Sequence, residues 1–209
     1  MPLDLWLAFV AASTALLLIP GPTVLLVLSY ALSKGRSVAV ASAAGVALGD
    51  LVAMSASLAG LGALVLTSAT LFTALKWLGA AYLIWLGVKL IRSAPSGGLS
   101  VPESGSVTAR HVFGHAAAVT ALNPKSIAFF IAFVPQFITP AAPLLPQFAI
   151  LVATFVGLAA INAFAYALLA DRLRRVISRP SVITWITRAG GGALITMGIL
   201  TTSLRRSVP

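Results

Sequence analysis

The chain has 209 residues, 59% of them hydrophobic and 9% charged, with a mean hydropathy of +1.04; this excludes an ordinary soluble domain and places it in a membrane. Its net charge of +10 and pI near 11.5 do not imply a nucleic-acid partner, because the positions of the charges decide their meaning. There is no cysteine, so disulfides, thiol redox chemistry and thiolate metal sites are excluded.

Crossing a hydrocarbon core of roughly 30 Å takes about 20 mostly apolar residues. Six stretches are that long: Leu5–Ser33, Val38–Leu66, Ala69–Ile91, Phe113–Ile138, Leu144–Ala170 and Val182–Leu204. Met1-Pro2-Leu3-Asp4-Leu5-Trp6 leads straight into the first, without the positive region of a signal peptide, so the N-terminus is expected to be retained. Span one is interrupted at Pro20-Gly21-Pro22. The prolines remove two backbone donors and the glycine supplies one position without Cβ restraint, which frees carbonyls able to take an ammonium group. A simple packing kink is the alternative.

Span two carries Asp50, the one acidic residue well inside a span. A charge there costs about 3 kcal/mol, which suits a residue that alternately holds a proton and a cationic group. The alternative is a structural partner for Lys125 or a helix cap. Ala41, Gly45 and Gly49 recur every four residues, a small-residue stripe expected to pack against another helix. In span three, Trp77, Tyr82 and Trp85 are expected to face lipid or to pack.

The Gly-, Ser- and Pro-rich segment Ser93–His111 reads as a flexible linker. Span four breaks at Asn123-Pro124, followed by Lys125, the one basic residue near the middle of a span. The helix restarting at Pro124 offers an anionic group both free N–H groups and an ammonium. Pairing with Asp50 or snorkelling is the alternative for Lys125, and Asn123 is expected to support the break. Asn162 in span five is assigned equally to substrate or to freed backbone groups. His111 and His115 have metal-pair spacing, but no cysteine or acidic cluster completes a set, so no metal site is expected. Nucleotide-binding, nucleophile-elbow and zincin motifs are missing as well, so no enzyme and no cofactor is expected.

Lys and Arg cluster after spans one, three and five, at Lys34, Arg36, Lys89, Arg92, Arg110, Arg172, Arg174, Arg175 and Arg179. The positive-inside rule then puts those loops in the cytoplasm and both termini outside. Arg205 and Arg206 resist this and keep open five spans or a re-entrant last segment. The halves also match in order. Breaks fall in spans one and four; Gly45 precedes Asp50 as Gly157 precedes Asn162; Gly79 and Gly87 have the spacing of Gly190 and Gly198. This predicts an internal duplication, inverted because each unit has three crossings. Counted at about 1.5 Å per residue, Pro22 lies roughly 17 Å deep, Pro124 and Asp50 about 18 Å and Asn162 about 13 Å, near the midplane where such transporters bind substrate.

The expected fold is therefore all-α: a polytopic membrane protein of six transmembrane helices, arranged as two inverted three-helix repeats with helices 1 and 4 broken. It forms a single membrane domain, 1–209, with repeat one at 1–92, a cytoplasmic linker at 93–111 and repeat two at 112–209. The expected substrate and proton-coupling residues are Asp50, Lys125, Pro20, Gly21, Pro22, Asn123, Pro124 and Asn162.

Several of these pieces occur together in one known family. Ile19-Pro20-Gly21-Pro22, Gly45-Val46-Ala47-Leu48-Gly49-Asp50, Lys76-Trp77-Leu78-Gly79-Ala80-Ala81-Tyr82-Leu83 with Gly87, and Asn123-Pro124-Lys125 with Phe129-Phe130 and Pro135-Gln136-Phe137 stand in the order of the LysE/RhtB amino-acid exporters, which the chain resembles over nearly its whole length. The resemblance implies a bacterial inner-membrane homodimer that exports amino acids on the proton-motive force. The lack of a second intramembrane carboxylate favours a neutral substrate of the threonine, homoserine or leucine type. Its carboxylate would meet Lys125, and its ammonium Asp50 and the freed carbonyls. A divalent-metal or other cation exporter is the alternative transport reading, and a membrane scaffold the non-transport one.

Overall fold

The computed structural model describes residues 1–19, 21–34, 36–67, 69–92, 108–139, 142–170 and 180–203. Pro20, most of the 93–111 linker, and the arginines at 172, 174, 175, 179, 205 and 206 lie outside these. The described residues are almost entirely helical and contain no strand. In chain order they form α1 (Leu3–Leu18), α2 (Pro22–Lys34), α3 (Arg36–Thr67), α4 (Ala69–Arg92), α5 (Ala109–Ala121), α6 (Pro124–Ala132), a 3-10 turn (Val134–Phe137), α7 (Leu144–Leu168) and α8 (Pro180–Ser203). The linker is shorter than its composition predicts, because Thr108 caps α5 by accepting from the His111 N–H at 3.3 Å.

Both broken spans use the same local device. A residue before proline is pushed out of the helical region, and Ile19 and Asn123 are both extended, with ψ of 117° and 110°. The helices restart on Pro22 and Pro124, where a missing N–H costs nothing. The α1–α2 pair bends by 60° and the α5–α6 pair by 44°. Among the described residues, α3, α4 and α7 are each able by length and composition to cross a membrane, and counting each bent pair as one span raises the number to five. The 24-residue α8 packs along α4 but falls outside that count.

The short α6 lies inside the protein. Phe129 and Phe130 are fully buried; Phe130 meets Phe155 of α7 edge-on at 4.8 Å, and Phe137 of the 3-10 turn meets Phe9 of α1 at 5.2 Å. This aromatic seam shields the irregular backbone, which lipid would leave unsatisfied. Elsewhere the helices touch through glycine. A Cβ on Gly49 of α3 would fall 2.5 Å from the Ala117 carbonyl of α5, and one on Gly87 of α4 would fall 2.5 Å from the Gly191 carbonyl of α8. Such backbone-to-backbone packing is how helices associate where no hydrophobic force separates protein from solvent. The outer faces are apolar, with Leu122, Leu145 and Trp185 among the exposed side chains.

Candidate functional site

In an unbroken helix the N–H of residue 20 would serve the carbonyl of Leu16, and that of residue 22 the carbonyl of Leu18. Proline at both positions deletes those donors. The Ile19 N–H donates to Leu16 O at 3.2 Å, and the rest of the end of α1 is completed by the second half of the chain. Lys125 Nζ donates to Leu16 O at 3.1 Å and to Ile19 O at 3.0 Å. Asn162 Nδ2 donates to Leu17 O at 3.2 Å, and the Tyr166 hydroxyl to Leu18 O at 3.3 Å. Four consecutive carbonyls thus receive side-chain donors from α6 and α7.

The second break faces the first. Asn123 caps α6: its side-chain oxygen accepts from the Lys125 N–H at 3.1 Å, while its Nδ2 donates to Thr23 Oγ1 of α2 at 3.2 Å. Thr23 Oγ1 in turn lies 3.4 Å from Thr120 Oγ1 of α5. The cap fixes the first turn of α6, and with it the root of the Lys125 side chain, beside α1. Gly21 leaves space for the ammonium, since a Cβ there would stand 3.3 Å from Lys125 Nζ.

Asp50 of α3 is 2% exposed and lines the same narrow cavity as Gly21, Asn123, Lys125, Asn162 and Tyr166. Its Oδ1 has no hydrogen-bond partner among the described residues, and Asp50 and Lys125 make no ion pair within 4.0 Å. The cavity volume of about 30 Å³ admits a water or two and no amino acid, a water needing roughly 10–15 Å³ by this measure. Val24, Val27, Val46 and Ala159 make its apolar wall.

Asp50, Gly21, Asn123, Lys125 and Asn162 thus come together in one place. Pro22 and Pro124 act as the first residues of α2 and α6 without lining the cavity. Sequence reasoning missed Tyr166, Thr23 and Thr120. The available signal for Tyr166 is its position one helical turn after Asn162, together with the orphaning of Leu18 O by Pro22. Tyr82 does not line the cavity, and Trp77 and Trp85 are exposed. His115 Nδ1 lies 2.7 Å from the Tyr30 hydroxyl, and no group of three or more potential metal ligands occurs among the described residues. Chemically, the arrangement offers carbonyl oxygens that hold an ammonium and, lining the same cavity, a buried carboxylate.

A family model described as LysE type translocator matches residues 14–203. The chain is 35% identical over 208 residues to the homoserine/homoserine lactone efflux protein of Salmonella typhimurium, covering 99% of this chain and 100% of that one. It is 34% identical over 201 residues to an uncharacterized membrane protein of Vibrio cholerae, covering 96% and 97%. With the leucine efflux protein of Enterobacter sp. strain 638 it shares 34% over 140 residues, covering 67% and 66%. No solved structure matches the chain.

Proposed function

The chain belongs to the LysE type translocator family, and on that premise we propose that it exports neutral amino acids and close derivatives, of the threonine, homoserine or leucine type, across the bacterial inner membrane on the proton-motive force. The observation that carries this reading is the meeting of two helix breaks at an ammonium held by carbonyls, beside a buried carboxylate with an unpartnered oxygen. Half-helix ends and unwound carbonyls at a repeat interface are where transporters hold charged substrates. The compounds named in the relatives narrow the handle. Homoserine, homoserine lactone and leucine share a primary amine, whereas the lactone has no free carboxylate. A site that reads the ammonium fits all three; a carboxylate contact to Lys125 is then secondary. The apolar wall and the single carboxylate of the cavity suit a neutral side chain.

In this reading the single membrane domain, 1–209, has six spans with both termini periplasmic, two inverted repeats joined by the 93–111 linker, Asp50 as the proton-coupling residue, and a homodimeric assembly. Matched glycines support the repeats. Gly79 meets Ala132 and Gly190 meets Ile19, each in the broken span of the other half; Gly87 meets Gly191, and Gly198 meets Ala80. One pair is not matched: Gly45 packs on Ala116, while nothing stands within 4 Å of Gly157. Asymmetry between equivalent positions is what one state of an alternating carrier displays. The test is efflux of an amino-acid panel from inverted vesicles, with and without a proton gradient. Gradient-dependent movement of small neutral amines is expected. A folded protein that moved none of the panel would refute the reading.

A further inference from the structure

We propose that Leu16 O and Ile19 O form the ammonium site of the transported amine, and that Lys125 is its tethered competitor, holding these carbonyls while Asp50 is protonated and leaving them for Asp50 once that proton is lost. This rests on the export reading above and adds to it the means by which proton and substrate exclude one another.

The two contacts, 3.1 and 3.0 Å from a single Nζ, are ordinary N–H···O lengths, and nothing in them is specific to lysine. Any primary ammonium on a slim stem satisfies the same pair of oxygens. Lys125 occupies the pair now, in a cavity too small for an amino acid beside it. Asp50, in that cavity and bearing an oxygen with no partner, is the alternative destination for the Lys125 ammonium. An ionised carboxylate buried with an unpartnered oxygen is costly, and in this proposal the arrangement seen is the proton-bound form of Asp50. The surroundings admit no other cation. Of the titratable and charged groups on α2, α4, α5, α6 and α7, the elements packed against α3, only Lys125 and Tyr166 share the cavity with Asp50 among the described residues. Tyr30 and His115 pair with each other by Val38, near the start of α3.

The exchange balances. One proton leaves the Asp50 carboxyl, the carboxylate draws the Lys125 ammonium off the two carbonyls, and one substrate ammonium takes them. Reprotonation from the opposite side releases Lys125, which returns to the carbonyls and expels the amine. One proton moves inward for each amine moved outward, and the two never bind together.

The test uses equilibrium binding and counterflow of radiolabelled homoserine and homoserine lactone with the full-length protein in proteoliposomes. Asp50→Asn, fixed in the neutral state, leaves Lys125 on the carbonyls, and binding is expected to fall by about tenfold or more. Lys125→Met is expected to bind about tenfold more tightly because the competitor is gone, and to bind equally at mildly acidic and mildly alkaline pH. The double variant decides: binding lost in Asp50→Asn is expected to return when Lys125→Met is added. If the double variant binds no better than Asp50→Asn, the proposal is overturned, and both residues touch substrate directly. Lys125→Met strips Ile19 O of its side-chain donor and leaves Leu16 O only the Ile19 N–H, so Lys125→Gln is run beside it. Its amide still serves the carbonyls but cannot pair as a cation, and pH-independent binding is again expected; binding that still followed pH would overturn the competitor role. A wild-type protein that binds neither amine overturns the export reading, and this proposal with it.

Discussion

Replacing Gly49 by alanine tests how closely α3 and α5 must approach. The added Cβ would lie 2.5 Å from Ala117 O, 2.7 Å from Thr120 Cβ and 3.0 Å from Ala121 N. None of these is the far end of a flexible side chain, so relief requires the helix itself to move. Restoring an ordinary contact of 3.4 Å to the carbonyl means a retreat of α5 by about 0.9 Å. Overpacking of this kind costs about 1–3 kcal/mol. The retreat also draws Thr120 away from Thr23, already at 3.4 Å, and loosens the support of Asn123. Gly157→Ala is the control. Nothing stands within 4 Å of that position, and loss of a mid-helix glycine gains up to about 1 kcal/mol. Unfolding by SDS titration in mixed micelles, followed by tryptophan fluorescence, is expected to separate the two variants, with Gly49→Ala the less stable. If the two agree within about 0.5 kcal/mol, the close approach of α3 and α5 does not hold the molecule together.

Tyr166→Phe removes only the hydroxyl that serves Leu18 O and is expected to cost about 1 kcal/mol in the same titration, within the range of hydrogen bonds between membrane helices; no loss would mean that Leu18 O has another donor. Gln147→Leu is expected to cost about 2–3 kcal/mol. The buried Gln147 side chain accepts from the Thr139 N–H at 2.8 Å and donates to Thr139 O, Ala142 O and Pro143 O, so its loss orphans several backbone groups at the entry to α7. Faster proteolysis at the 139–143 segment is the companion readout, and an unchanged cleavage rate would count against the role.

The sequence was most informative where a residue is chemically alone. Asp50 and Lys125 stood out as the acidic residue well inside a span and the basic residue near the middle of one, and the two breaks stood out because proline removes a donor wherever it sits. Their mutual arrangement was harder to read. A lone lysine and a lone aspartate suggest an ion pair, yet the Lys125 ammonium lies on the carbonyls that the reading had reserved for substrate. Composition does not rank two oxygen acceptors against each other; the position of Lys125 on the first turn of α6, fixed by Asn123, does. Tyr166 was hidden among aromatics that face lipid, and Gln147 as a lone polar residue in the proline-rich start of an apolar helix. Gly45 and Gly157 occupy matching places in sequence but have different neighbours, because packing depends on which helix happens to lie opposite. The length and apolarity of the last stretch suggest a sixth crossing; among the described residues, length and composition alone count up to five, with α8 outside them.

The completion of α1 by distant residues has a consequence for biogenesis. Leu16 waits for Lys125 across 109 residues of chain, Leu17 for Asn162 across 145 and Leu18 for Tyr166 across 148. At ribosomal speeds of about 5–20 residues per second, the delay is roughly 5 to 30 s. Throughout it the first broken span exposes carbonyls that lipid has no means to satisfy. The nascent first half must therefore stay hydrated or sheltered until α7 emerges, and these three carbonyls are closed in the order of their synthesis, Leu16 first and Leu18 last.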